Sequence, residues 1–420
     1  MKLFPHQIEV LNLTKNSNKV AYYLDMGLGK TFVGAEKLIQ LGSRINLVVC
    51  QKSKVDDWLE HFKTHYGVKV TLFALTKANQ IQKMLECKHV NQVIGVINYD
   101  LLFRRPELKK LQNFTLMLDE SSLIQNGKAK RSKFILNMNP ENIILLSGTP
   151  TSGKYENLWS QLHLLGWTIS QDTYNKQYVN WKNIDVGGFI HKIVDKDDPY
   201  KNVDRLKSKM REHGAVFMKT EECFDLPEQN FITVNYKSSK EYRKFKKDSI
   251  ITVDGNELIG DTTLSKMLYL RMLCGQYSQS KLEGFKDLVE STNDRLIVFY
   301  NFNEELYHLK KIASDLERPI SEVNGQVKDL NAYENEDDSI TFVQYQAGAM
   351  GLNLQKANKI IYFTLPLMSE LFEQSKKRIH RIGQNKTCFY YILMCNGSIE
   401  EDIFKTLEMR KDYTNELFRE

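Results

Sequence analysis

Apolar residues in the first third of the chain come in short runs separated by amphipathic stretches. VAYYLDM (20–26), INLVVC (45–50), QVIGVINY (92–99), FTLMLDE (114–120) and NIILLSGTP (142–150) have the length and continuity of strands buried on both faces. TFVGAEKLIQLG (31–42) and KVDDWLEHFKTHYG (54–67) repeat apolar positions at helical spacing between them. Strands alternating with helices predict an α/β fold with a doubly wound parallel sheet. The stretch from about 168 to 230 is polar, rich in Lys, Asp and Asn, and loses this rhythm. The rhythm returns at RLIVFYNF (295–302), SITFVQYQA (339–347), NKIIYFTLP (358–366) and TCFYYILMC (387–395), which predicts a second lobe of the same kind. The expected division is a first lobe over 1–167, a helical insertion and connector over 168–235, and a second lobe over 236–420.

Length agrees with this division, since 420 residues suit two or three domains. Hydrophobic residues at 42% and charged residues at 26% are those of a globular, soluble chain. The 58 Lys and Arg exceed the 52 Asp and Glu by 6, a mild basic excess that points only weakly to a polyanionic partner. MKLFPHQIEV lacks the apolar run of a signal peptide, and no apolar stretch is long enough for a membrane span, so an intracellular, cytoplasmic protein with no membrane partner is expected. None of the six cysteines forms a C-x-x-C pair, which predicts reduced thiols rather than a zinc site.

Three clusters carry chemistry. The first is DMGLGKT (25–31), directly after a strand and directly before a helix. Gly27 and Gly29 would let backbone N–H groups face phosphate oxygens, Lys30 would meet the β- and γ-phosphates, and Thr31 would offer a hydroxyl to Mg²⁺. Met26 and Leu28 complete the loop. The first glycine of the longer phosphate-loop pattern is missing, with Leu24 in its place, so an ordinary strand–turn–helix corner is the competing reading. The second cluster is Asp119–Glu120 at the end of an apolar strand, where Asp119 would hold Mg²⁺ and Glu120 would orient the attacking water; a solvated strand end is the rival. The third is QSKKRIHRIGQ (374–384). Arg378 and Arg381 are three apart, which on a helix places both guanidinium groups on one face, suited to a triphosphate or to a DNA backbone.

Gln7, DMGLGKT, DESS (119–122), SGTP (147–150), QAGAMGLNL (346–354) and QSKKRIHRIGQ follow the order of superfamily-2 helicase motifs, and RIHRIGQ with LNL upstream resembles the Swi/Snf-type DNA-translocating ATPases. The segments 47–62, 119–133 and 270–285 are similar to the same family, so the resemblance covers nearly the whole chain. It implies two RecA-like lobes and ATP with Mg²⁺ as cofactors. It implies that Gln7 reads the adenine, that Ser147 and Thr149 link hydrolysis to strand movement, and that Gly351 and Asn353 lie in a second-lobe loop between DNA and ATP. Gln374, Arg378 and Arg381 would complete the ATP site from the second lobe. The chain departs from the family in several places. Ser122 replaces the histidine of a DEAH-like tetrad, Asp25 replaces Glu, Ala349 replaces a glycine, and the DWNP-like pattern is absent from 363–374. These departures resemble compact bacterial or phage members, for which a nucleoid association would follow.

The resemblance implies a nucleic-acid partner, double-stranded DNA, beside an unidentified protein partner. It puts DNA contacts at Lys52, Ser53, Asn98, Tyr99, Ser147, Thr149, Gln346, Gly348 and Asn353, with Arg104, Arg105, Lys128, Lys130, Arg131 and Lys133 as clustered bases; phosphate contacts give tracking without sequence choice. Three functions compete. The first is a duplex-DNA translocase that displaces proteins or remodels DNA. The second is a strand-separating DNA or RNA helicase, and the third a non-catalytic nucleic-acid scaffold. The presence of Lys30, Asp119, Glu120, Arg378 and Arg381 disfavours the third. RIHRIGQ and the lack of a recognisable unwinding module favour the first over the second.

Overall fold

The structure is a computed structural model that describes residues 2–87, 91–348 and 352–418. It divides into two compact units, 1–223 with 413–420, and 224–412. Each unit is built on a seven-stranded sheet.

In the first unit the apolar runs become β1 (Lys19–Leu24), β2 (Ile45–Cys50), β4 (Gln92–Asn98), β5 (Phe114–Asp119) and β6 (Asn142–Ser147), with a shorter β3 (Val70–Ala74). A separate antiparallel hairpin follows, β7 (Trp181–Val186) and β8 (Phe189–Val194), then β9 (Ala215–Met218). The sheet order is β3-β4-β2-β5-β6-β1-β9, all pairs parallel. Burial on both faces explains the unbroken apolar runs: Ala21, Tyr23, Leu47, Val49, Leu116 and Leu118 face one core cluster, while Val20, Tyr22 and Leu24 are buried on the opposite side. Each fully buried Val or Leu contributes roughly 1.5–3 kcal/mol against exposure. The helix Lys30–Leu41 packs so closely that a Cβ on Gly34 would lie 2.7 Å from Leu146 Cδ1.

The stretch 168–235 is not one insertion. Its helices Gln171–Tyr178 and Val203–Glu212 belong to the first unit, where Tyr174, Tyr178, Leu206 and Met210 enter the core. β9 adds an edge strand to the first sheet through Ala21↔Ala215 and Leu24↔Met218. The remainder supplies β10 (Gln229–Tyr236), an edge strand of the second sheet. The expected boundary at 235/236 therefore moves to 223/224.

The second unit adds the small hairpin β11 (Ile250–Val253) and β12 (Asn256–Ile259). Its sheet is completed by β13 (Leu296–Tyr300), β14 (Ile320–Val323), β15 (Lys328–Asp329), β16 (Ile340–Gln344), β17 (Lys359–Tyr362) and β18 (Cys388–Cys395). The order is β10-β18-β17-β13-β16-β14-β15, parallel except for β15. Ile297 and Phe299 face one core cluster, Val298 and Tyr300 the other. The helix Ile399–Phe418 ends the described chain. Its last residues belong to the first unit, where Tyr155 donates to Tyr413 O at 2.8 Å and Phe418 stacks edge-on to Phe217.

Candidate nucleotide and nucleic-acid sites

Ligands of open α/β sheets collect at the carboxyl ends of the strands. In the first unit β5, β6 and β1 are adjacent, and their ends are level through Asp119↔Leu146 and Tyr23↔Ser147. At these ends lie the DMGLGKT loop, the acid pair and SGTP.

The loop turns through Gly27 at φ +92° and Gly29 at φ +76°, conformations that side chains other than glycine rarely adopt. Gly29 caps the helix Lys30–Leu41, so its open N–H groups and dipole face the loop. Lys30 Nζ donates to Leu24 O at 2.9 Å and Asp25 O at 3.3 Å. Gln7 is buried against the loop: it accepts from Phe4 N at 3.0 Å and donates to Leu28 O at 3.1 Å, and a Cβ on Gly29 would lie 2.2 Å from Gln7 Nε2. Asp25 Oδ2 accepts from Thr220 N and Oγ1, tying the loop to the turn after β9.

The acid pair is held on several sides. Trp58 Nε1 donates to Asp119 Oδ2 at 2.8 Å. Tyr99 OH donates to the carbonyls of Asp119 at 3.0 Å and Glu120 at 3.4 Å. Glu120 sits at φ +58°, a left-handed conformation costing about 1–3 kcal/mol that persists when its surroundings over-determine it. Its Oε1 accepts from Ser147 Oγ at 2.5 Å and Ser122 Oγ at 3.0 Å. Burial pushes both carboxyls above the usual range, opposed at Asp119 by the Trp58 hydrogen bond and at Glu120 by the Lys30 charge and the serine hydroxyls. Ser122, in the place of a DEAH-like histidine, thus holds Glu120 by a hydroxyl, while Ser147 joins Glu120 to SGTP. Trp58 was not singled out in the sequence; the only signal was an indole on the helix Val55–Tyr66, which reads as core.

Four residues expected at DNA are spent inside the unit. Ser147 is 0% exposed, with its hydroxyl on Glu120, and Thr149 is buried with its N–H on Ser147 Oγ. Asn98 caps the short helix Tyr99–Leu102 by accepting from Asp100 N and Leu101 N, and the ring of Tyr99 lies in the core. These four are corrected to interior positions. Lys52 and Ser53 are exposed on the turn Lys52–Lys54, as are Arg104, Lys128, Lys130 and Lys133. Arg131 lies 4.0 Å from Asp100, and Arg105 reaches Thr76 O. In the second unit Gln346, on the short helix Tyr345–Gly348, and Asn353 are exposed. Gly351, expected at ATP, lies outside the described residues.

The arginine motif departs from the expected helix. The helix Ser369–Lys376 contains Gln374, which donates to Glu370 Oε1 at 3.2 Å, and it ends before both arginines. The Arg378 carbonyl accepts from Leu354 N at 3.1 Å instead of continuing the helix. Gly383 turns back at φ +95°, and Gln384 Nε2 donates to the carbonyls of Gln355, Ala357 and Ile379. Arg378 and Arg381 therefore share a turn rather than a helix face. Arg378 is 3% exposed; Nη1 donates to Leu352 O at 3.3 Å, while Nε and Nη2 have no hydrogen-bond partner. Burial, with the like charge of Arg381, pulls its guanidinium down to about 10. Among the described residues no carboxylate pairs with either arginine. A buried cation without a counter-charge is costly, and an anion would relieve it.

Residues 7–279 match the SNF2-related domain, and 280–383 match the helicase conserved C-terminal domain. The chain is 24% identical to the ISWI chromatin-remodeling complex ATPase ISW1 of Saccharomyces cerevisiae, over 98% of this chain and 40% of that protein. It is 22% identical to the ATP-dependent helicase YqhH of Bacillus subtilis, over 96% of this chain and 77% of the relative. It spans about two-fifths of the length of the first curated relatives it matches. A solved structure of the Sulfolobus solfataricus SWI2/SNF2 ATPase core with dsDNA aligns over 99% of this chain and 92% of its own, at 18% identity and a TM-score of 0.46. No helix among the described residues is long and apolar enough to cross a membrane.

Proposed function

The chain belongs to the SNF2-related domain family, and from that premise we propose that it is a nucleic-acid-stimulated ATPase that translocates on double-stranded DNA, remodelling it or displacing bound proteins. One observation carries the reading: the glycine loop with Lys30, the acid pair, and Ser147 stand at three neighbouring strand ends, with Glu120 hydrogen-bonded to Ser147. Lys30 and the N-terminus of its helix receive the phosphates, and Glu120 orients the attacking water. The carboxylate of Asp119 and the hydroxyl of Thr31 are hard oxygen donors of the kind Mg²⁺ takes, and these two would hold it. The ion, when bound, neutralises phosphate charge. Arg378 and Arg381 are the cations this reading assigns to the charge that develops on the transferred phosphoryl group. Lys52, Ser53, Gln346, Gly348 and Asn353 are its DNA contacts, made to the backbone and so blind to sequence.

Steady-state phosphate release with duplex DNA, single-stranded DNA and RNA tests the proposal. Duplex DNA should stimulate most, with affinity falling steeply as salt rises, by a log-log slope of about −0.9 per neutralised phosphate. Hydrolysis indifferent to nucleic acid would overturn it. Strand separation is the second reading, favoured by the β7–β8 hairpin, where Phe189 and Ile190 are 74% and 76% exposed. Under that reading, replacing both with Ala abolishes strand displacement and spares hydrolysis.

A further inference from the structure

Gln161 lies on the helix Trp159–Leu164 and is fully buried. Its side-chain oxygen accepts from Ser121 Oγ at 2.7 Å and from Tyr23 OH at 3.1 Å, and its Nε2 donates to Pro150 O at 2.8 Å. The three partners come from three separate parts of the nucleotide site. Ser121 directly follows Glu120 and holds one side of that residue's left-handed turn. Tyr23 precedes Leu24, whose carbonyl receives Lys30. Pro150 closes the SGTP turn, whose Ser147 donates to Glu120. Ser121 and Tyr23 are themselves fully buried, so no water can take over their hydrogen bonds without opening the core.

We propose that Gln161 is a positioning residue for hydrolysis: one buried carboxamide holds the acid pair, the strand feeding the phosphate loop and the SGTP turn in a single arrangement. The inference rests on the ATPase reading above. An amide suits the place because it accepts and donates at once: both lone pairs of its oxygen take hydroxyls, while its N–H meets a carbonyl. Leucine would fill the volume and leave two hydroxyls and a carbonyl unpaired. Glutamate would keep the acceptor, lose the donor to Pro150, and add a negative charge against Ser121, the residue after Glu120.

The test measures DNA-stimulated kcat, ATP affinity and thermal midpoint for Gln161→Leu, Gln161→Glu and Ser121→Ala in the full chain. Gln161→Leu should lower kcat by about tenfold or more, with ATP affinity within about twofold of wild type. Gln161→Glu, which loses the donor to Pro150, should also lower kcat while ATP affinity stays within about twofold of wild type. Ser121→Ala, which removes one hydroxyl and little volume, should reproduce part of the kcat loss if the leucine variant does not fold. Unchanged kcat in folded Gln161→Leu and Ser121→Ala protein would overturn the proposal. So would kcat, affinity and stability falling together in every variant. Failure of wild-type protein to hydrolyse ATP would instead strike the ATPase reading.

Discussion

The two charged regions of this molecule are finished to different degrees. In the first unit the charged groups proposed for the chemistry have protein partners: Lys30 rests on two carbonyls, Asp119 on Trp58, and Glu120 on Ser147 and Ser122. In the second unit Arg378 is 3% exposed yet keeps two donor nitrogens without partners, and the charge that acts on it is that of another arginine. A buried acid that accepts hydrogen bonds can be part of a stable fold. A buried cation beside a like charge works against the fold, and its retention points to a ligand that supplies the missing negative charge. The difference separates groups poised by the protein from groups poised for something the protein does not contain.

Substitutions can break or sharpen this contrast. Lys30→Ala should have the largest effect, reducing DNA-stimulated phosphate release to background while the thermal midpoint holds, since the ammonium lost is on the surface of its unit's core; turnover near wild type would remove the phosphate-loop assignment. Glu120→Gln should slow hydrolysis by about 10²–10⁴-fold and leave nucleotide binding intact, because an amide positions water poorly and takes no proton. Equal losses of binding and turnover would make the residue structural. Trp58→Phe keeps the ring and removes the hydrogen bond to Asp119, so the Mg²⁺ concentration for half-maximal rate should rise several-fold, and an unmoved Mg²⁺ titration would separate Trp58 from the metal-binding acid.

Ser122→Ala should act least on rate and most on pH. The carboxyl of Glu120 is raised by burial, and under the proposed role it must be ionised to orient water, so activity should be lost as pH falls through its pKa, at a higher pH than for an exposed glutamate. The Ser122 hydrogen bond lowers that pKa, and its removal should move the acid limb to higher pH with a few-fold loss at neutral pH. A limb that stays put would show that Ser147 alone holds the acid.

The central strands were legible because burial on both faces leaves an unbroken apolar signature, as in β2, β5 and β6. The edge strands were not. β10 exposes Phe231, Ile232 and Thr233 along its length, and β9 is only four residues long, so both disappeared into a polar connector. The glycine loop and the acid pair could be located at strand ends from the sequence because each is a run of neighbouring residues directly after an apolar strand. Asn98 and Tyr99 were misplaced because a polar residue at a strand end reads the same whether it caps a helix or faces a ligand. The arginine motif was read as helix from its spacing, and a long-range hydrogen bond from Leu354 decided otherwise. Gln161 carries no local signal, since its three partners lie up to 138 residues away.

The most direct measurement is Arg378→Met, taken for thermal midpoint, ATP affinity and DNA-stimulated turnover on the same preparation. If Arg378 is kept for a phosphate rather than for the fold, replacing an uncompensated buried charge with an apolar side chain of similar length should hold or raise the midpoint, while turnover falls by about 10³-fold or more. A lower midpoint with turnover preserved in the folded fraction would contradict the account, because the arginine would then belong to the scaffold.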